Sequence, residues 1–491
     1  MNRATVLCLT AAAFLVVSDP IGILERTGLQ TISAALGQTP QATLQVEPLS
    51  ANDISWLFPA PANNADLAKL ISMRDLTASD GPVWSEDVFH EFLTIAAGPA
   101  GSVEGTTHRV GLPADVWTRD VWYISGVRID PGAPSVSPGL VRQFGRSPEI
   151  RLSVQPIARA PDGRLRVYDI AVHLVFSFTM AKENGDPDDE QPIQIGCFPR
   201  PKANVEAFKA IVAELVALRD TLKNGQPSVT TTRPLGVHPG LSNANTATNT
   251  RDGMKALLAR HLSSRRLTLM TVAALSAPSA SDRQPRSWIF LPMLNVPRDF
   301  DPSKPSGGFV PMRGPALDGH HFAQLFNAAA NQNMVVPVPY TNNRGRITCK
   351  HAALPIPGPP IDERVGYATA PLMNATAATT VDERNKYLEV ISKLVDPDAS
   401  HIFNTDCVSC HTATKLGIDL LKGNSHIGED IDKSLLPDHI WNVRGFGWFP
   451  RTNGPAQPTV SHRVGKETFT VLKFINERCL PRPQAVCMPD Q

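Results

Sequence analysis

"EIRLSVQPI", residues 149–157, alternates apolar and polar side chains from Glu149 to Gln155. The apolar face carries Ile150, Leu152 and Val154, and the polar face carries Arg151, Ser153 and Gln155. Successive side chains of an extended chain point to opposite sides, so a period of two predicts a β-strand with one buried face.

A second apolar row follows the turn signal Pro161-Asp162-Gly163. Residues 165–179 alternate again, which predicts a longer strand. Its apolar row consists of Ile170, Val172, Leu174, Phe176 and Phe178. His173 falls on the other face, where a solvated or hydrogen-bonded sheet histidine is favoured over a metal ligand. With further strands expected over 89–96 and 120–129, residues 83–180 predict an antiparallel sandwich or barrel.

The period changes to that of helices after residue 200. Helices are predicted over 204–222 and 251–263, with short strands over 266–275, 288–294 and 334–338. The sequence LPIPGPPI at 354–361 is typical of a linker. Beyond it, the capping box at Thr380 and Glu383 opens a helix, and a last helix is expected over 466–478.

These patterns predict a multidomain α+β chain with five parts. They are a signal-peptide region (1–37), a β-rich antiparallel domain (38–200), a mixed α/β domain (201–353), a Pro-rich linker (354–379) and an all-α C-terminal domain (380–491).

The charge balance excludes some functions. The 491 residues include 47 lysines and arginines against 46 acidic residues. Such a balance argues against a general nucleic-acid binder or a polybasic protein of the membrane surface.

The N-terminus has the layout of a secretory signal. Arg3 precedes the apolar run ATVLCLTAAAFLVV, which is too short to span a bilayer. Cleavage is expected near residue 18 or near residue 37; an uncleaved anchor is the alternative. No later segment is apolar enough to cross a membrane. We therefore expect an exported protein, periplasmic or extracellular in a bacterium.

Cys407, Cys410 and His411 form a CxxCH motif. On a helical turn, residues i and i+3 present both sulfurs on one side, where each can bond a vinyl group of one porphyrin. The next residue can then give the iron its proximal nitrogen. Half of a zinc site is the main alternative. A redox dithiol of the thioredoxin type is disfavoured, because the βαβ context that it needs is missing.

The remaining cysteines bear on that choice. Zinc would need a second ligand pair, and only Cys479 and Cys487 are available, at a wide spacing. These two also form a natural local disulfide. Cys197 and Cys349 are a weaker long-range pair and could equally be buried thiols.

Residues 380–491 resemble a single-haem cytochrome c domain. The resemblance is carried by the CxxCH motif, the helix before it and the closing helix. The segments "DCVSCHTAT" and "WNVRGFGWF" are also similar to poorly characterised secreted cytochrome-like proteins. The resemblance to a cytochrome c domain implies one haem c, attached through Cys407 and Cys410, with His411 as the proximal iron ligand.

The second iron ligand departs from the family pattern, because no methionine occurs between His411 and Met488. His462 and His401 are the candidate distal ligands, and an open iron site is the alternative. Arg444 is expected to pair with a haem propionate, since a guanidinium matches a carboxylate.

The leading function is therefore electron transfer to or from a redox partner, which is a protein or a small donor or acceptor. The alternatives are a haem enzyme or ligand sensor with an open iron site, and a surface interaction protein with an accessory haem.

Overall fold

The computed structural model describes residues 46–103, 106–133, 147–160, 162–178, 204–275, 288–296, 306–311, 324–326, 333–341, 347–355, 380–398, 407–421, 430–439, 442–451, 454–480 and 487. Residues 46–491 form one compact unit. The predicted signal region and nearly all of the predicted linker lie outside the described residues, and the domain boundaries stay predictions.

The unit is built on one antiparallel sheet. Seven strands cross it in chain order: β1 (Ser55–Leu57), β2 (Trp122–Ala133), β3 (Ser147–Arg159), β4 (Ile170–Ser177), β5 (Leu267–Leu275), β6 (Trp288–Val296) and β7 (Gly308–Pro311). Two short strands pair with it: Leu165–Val167 with β3, and Gln324–Phe326 with β6. Separate two-stranded pairs are Thr77–Ala78 with Gly81–Pro82, Pro99–Val103 with Thr106–Arg109, and Asn333–Thr341 with Ile347–Pro355.

The longer helices are α1 (Glu86–Ala97), α2 (Val205–Asn224), α3 (Ala247–His261), α4 (Val381–Leu394), α5 (Cys407–Leu420) and α6 (His462–Phe474). Shorter helical segments are Ala51–Ile54, Asn64–Leu67, Ala114–Val116, Arg119–Val121, Pro239–Ser242, Ser264–Arg266, Lys433–Leu435 and Ile475–Cys479. None of the helices in the described part of the chain combines the length and apolar content that a bilayer span requires.

The alternation of residues 149–157 builds the core as predicted. Ile150, Leu152 and Val154 are all buried, and they pair in register with Phe176, Leu174 and Val172 of β4. The apolar row of β4 continues into Met270, Val272 and Ala274 of β5. One face of the sheet therefore enters a single hydrophobic core, which also contains buried residues of α2 and α3.

The strand expected over 89–96 is wrong, because this segment forms α1. The Ser85 hydroxyl accepts a hydrogen bond from the Val88 N–H and caps the helix. Phe89, Phe92, Leu93 and Ala96 are the buried residues. Their spacing of three and four is the helical period, which outweighs a short alternation.

The predicted fold class is also wrong. Strands β5 and β6, expected in a separate α/β domain, extend the same sheet as β3 and β4. The expected all-α C-terminal domain contains a hairpin instead, formed by β8 (Phe446–Phe449) and β9 (Gln457–Val460). The described chain is thus a mixed α/β unit around one antiparallel sheet.

Hydrogen bonds from a side chain to the backbone hold this hairpin on the second face of the sheet, which is the face opposite the hydrophobic core. The Gln155 amide accepts from the Trp448 N–H at 2.6 Å and donates to the Trp448 carbonyl at 2.8 Å. Gly447 allows the close approach, since an added Cβ would lie 2.5 Å from the Gln155 Oε1. The polar residues that alternate with the core row therefore bind the C-terminal part of the chain.

Several local predictions are confirmed. The capping box of α4 forms between Thr380 and Glu383, and Cys479 bonds Cys487 in a disulfide. The last helix begins four residues earlier than predicted, at His462, where the Ser461 hydroxyl caps it by accepting from the Val464 N–H.

Replacing the buried amide tests the hairpin contact. We expect Gln155→Ala to lower the free energy of unfolding by about 2–4 kcal/mol, because the Trp448 N–H and carbonyl would stay buried without partners. Asn245→Ala truncates an exposed amide and should change it by less than about 0.5 kcal/mol. Urea unfolding followed by tryptophan fluorescence measures both, and equal losses would contradict the role of this contact.

A buried histidine gives a pH test. The His238 ring is fully buried and stacks 3.8 Å from the Trp56 ring. Burial lowers its pKa from 6.5 to about 3. The folded protein keeps this imidazole neutral while the unfolded chain protonates, so stability falls as pH drops from 6.5 towards 3.

The variant His238→Phe should flatten this dependence by up to about 1.4 kcal/mol per pH unit. The measurement is the free energy of unfolding between pH 7 and pH 4. His90→Phe, at an exposed histidine of α1, is the control and should keep the wild-type slope. An equal slope in His238→Phe and wild type would refute the assignment.

Candidate functional site

The CxxCH motif lies at the start of a helix. Cys407 is the first residue of α5, so Cys410 and His411 follow within the first turn and a half. Ala413, Leu416 and Leu420 pack against the buried side of α4. This packing fixes the helix that carries the motif.

His411 is held by a backbone carbonyl. Its Nδ1 lies 2.6 Å from the Val443 oxygen. A carbonyl can only accept, so Nδ1 carries the proton and Nε2 is the nitrogen with a free lone pair. Burial lowers the pKa of His411 to about 4, which keeps the imidazole neutral at neutral pH. A neutral imidazole oriented through Nδ1 is the form that ligates metals.

The loop that supplies this carbonyl is itself anchored. The Asn442 amide donates to the Thr459 hydroxyl at 3.0 Å, and the Arg444 N–H donates to the Asn442 Oδ1. The Arg444 side chain is buried and pairs with Asp169 at 2.9 Å. The position of the Val443 carbonyl is therefore set by both the hairpin and the sheet.

His462 lies next to α5. Its N–H donates to the Thr414 hydroxyl at 3.0 Å. The ring is buried, and its Nε2 has no hydrogen-bond partner among the described residues. Burial, together with Lys466, lowers the pKa of His462 to about 4. A second neutral imidazole with an unused nitrogen is thus present in the site.

A buried charge network runs from the motif to the sheet. Glu467 of α6 pairs with Arg128 of β2 at 2.6 Å and with Arg463 at 2.5 Å. Burial alone would raise the pKa of Glu467, but these arginines and Arg151 hold it well below its usual range. For Arg463 the effects are reversed: burial lowers the pKa, but Glu467 and then the Cys410 sulfur raise it, and the pKa lies above its usual range.

Arg463 also connects the helices around the motif. Its Nη1 donates to the carbonyls of Leu394 and Asp396, at the end of α4, at 3.2 and 3.0 Å. One guanidinium therefore links α4, α6 and the vicinity of Cys410. This network holds the CxxCH helix in place on the sheet.

The structure thus brings together four of the residues that the sequence singled out: Cys410, His411, Arg444 and His462. His401 and the Cys407 side chain lie outside the described part. Sequence reasoning missed the Val443 carbonyl, the Glu467 network, and Phe290, whose ring lies 4.9 Å from the His411 ring. Their signal is weak, because each comes from an element distant in sequence.

The cysteines that zinc would need are committed elsewhere, since Cys479 and Cys487 form the disulfide. Within the described ranges, no three His, Cys, Asp or Glu side chains form a group that could hold a metal ion. The orientation of His411 and the helical position of the CxxCH cysteines fit a covalently bound haem. Searches of protein-family models, curated proteins and solved structures find no match to this chain.

Neutralising Glu467 tests the charge network. We expect Glu467→Gln to lower the free energy of unfolding by roughly 3–5 kcal/mol, because arginines would be left buried without a counter-charge. Glu477→Gln, at an exposed position shortly after α6, is the matched control and should have little effect.

Chemical unfolding at neutral pH measures both variants. A loss in Glu467→Gln no larger than that in Glu477→Gln would show that the network contributes nothing to stability.

Proposed function

We propose that the protein is an exported c-type cytochrome that carries one haem and transfers electrons to or from a redox partner. The observation that carries this proposal is the 2.6 Å contact between the His411 Nδ1 and the Val443 oxygen. It leaves Nε2 as the coordinating nitrogen of a CxxCH histidine.

The chain's residues have distinct roles in this proposal. Cys407 and Cys410 hold the porphyrin by thioether bonds, and His411 supplies the proximal nitrogen. A bound haem supplies one-electron chemistry through its ferrous and ferric states. The low pKa of His411 keeps its lone pair available at neutral pH. The charge network around Arg463 keeps the attachment helix fixed.

Arg444 remains the proposed partner of a haem propionate. In the structure, its guanidinium binds the Asp169 carboxylate at 2.9 Å and the Ala273 carbonyl at 3.4 Å. A guanidinium matches the fork of a carboxylate, which is the group that a propionate presents. Asp169 would then orient Arg444 towards the porphyrin edge.

Export is part of the proposal. Its support is the N-terminal signal pattern together with the disulfide between Cys479 and Cys487, a bond typical of oxidising compartments.

Electron transfer is favoured over the alternatives of an enzyme or sensor. An open iron site needs an empty coordination position, whereas further histidines near the motif could fill that position. Six-coordinate iron suits electron transfer, while an open site would bind carbon monoxide or peroxide. Absorption spectra with and without carbon monoxide distinguish these functions.

Removing the two thiols tests the attachment. We expect Cys407→Ala with Cys410→Ala to abolish covalent haem, detected by haem staining after denaturing electrophoresis, because no thioether can form. Ser409→Ala changes a residue within the same turn and should retain full staining. Covalent haem in the double variant would contradict the proposal.

A further inference from the structure

The second face of the sheet lies beside the CxxCH helix. In the register of the strands, Ala171 of β4, Ala273 of β5 and Phe290 of β6 form one row. The next row on the same face is His173, Thr271 and Pro292. Rows on one face are two residues apart, about 7 Å along each strand.

Two contacts place the motif over this patch. The His411 ring lies 4.9 Å from the Phe290 ring, in the first row. The Arg444 side chain, next to the carbonyl that orients His411, reaches the Ala273 oxygen in the same row. His173 is therefore one row and two strands away from the Phe290 contact, on the face that His411 meets.

His173 is suited to bind a metal. Its side chain is partly buried on the face of the sheet opposite the hydrophobic core. Its sheet neighbours Ser153 and Thr271 are uncharged and do not compete for it by ion pairing.

His462 is less well placed for the iron's second side. Its N–H bonds Thr414, which lies three residues after His411 on the same face of α5. The preceding Ser461 donates to the Gly445 carbonyl, and a Cβ added at Gly445 would lie 3.6 Å from the His411 Cε1. The backbone of His462 is therefore fixed beside α5, in the segment that surrounds the His411 ring, and His173 comes from a separate element.

We propose that His173, carried by the sheet, is the second axial ligand of the haem iron. This inference rests on the proposed attachment of haem to Cys407 and Cys410. It gives the sheet a direct role in the redox centre, because strand β4 and the CxxCH helix would bind one iron. Two imidazoles would also give a lower reduction potential than a histidine–methionine pair.

The test uses the full-length protein and three variants: His173→Ala, His462→Ala and Thr271→Ala. We expect low-spin ferric haem in the wild type by absorption and EPR spectroscopy. His173→Ala should convert most of the signal to high spin, and added imidazole should restore low spin. His462→Ala and Thr271→Ala should keep the wild-type spectrum, the latter controlling for disturbance of the same sheet face.

A second substitution at residue 173 guards against misfolding. His173→Met retains a possible ligand, so the haem should stay low-spin with a higher reduction potential than in the wild type. Circular dichroism checks that each variant is folded.

The possible failures are distinguishable. Covalent haem staining should be the same in all four variants and the wild type, and its absence from the wild type would overturn both proposals. Covalent haem with an unchanged low-spin spectrum in His173→Ala, or a high-spin wild type, would overturn the ligand assignment alone. Loss of low spin only in His462→Ala would transfer the role to His462.

Discussion

A buried carboxylate joins the two ends of the described chain. Glu467, on the last long helix, meets Arg128 of an early strand and Arg463 of its own helix. Buried charges are costly unless they are paired, so separating this helix from the sheet would leave Arg128 without its carboxylate partner. The pair therefore favours packing of the C-terminal part of the chain on the sheet over a separate helical domain.

The same packing explains why the second face of the sheet is covered by the C-terminal part of the chain. One face carries the apolar rows and enters the core, as in most half-buried sheets. The other face carries Arg151, Ser153 and Gln155, which alternation alone would assign to solvent. In this protein these residues bind the C-terminal part instead: Gln155 holds the backbone of Trp448, and Arg151 lies 3.9 Å from Glu467.

Local patterns predicted local structure well. The alternating residues of β3 and β4 and the helical periods of α2, α3 and α4 appear close to where they were expected. The single strand expected over 165–179 is wrong in one respect, because it is divided into Leu165–Val167 and β4 (Ile170–Ser177). The prediction for 89–96 failed because its buried residues recur at the helical spacing of three and four, and the cap at Ser85 begins the helix. The all-α C-terminal domain failed because the aromatic segment 446–449 pairs with 457–460 as a hairpin. The Gln155 side chain, about 290 positions earlier, binds that hairpin to the sheet.

In the candidate site, too, residues with a local sequence pattern were recognisable and residues from distant elements were not. Cys407, Cys410 and His411 could be singled out from the sequence because their spacing is local to one helical turn. His173 was placed on the correct face, but no pattern in the sequence shows which part of the chain covers that face. The same holds for Phe290 and for the Val443 carbonyl, whose role depends on the backbone and not on the side chain.

The proposed covalent haem on the CxxCH turn would add a defined mass to the peptide that carries it. Mass spectrometry can measure the protease-derived peptide that contains Cys407 and Cys410, from protein purified after export. We expect this peptide with the added mass of one haem and no free thiols. The same peptide with two free thiols, or with a disulfide between them, would contradict it.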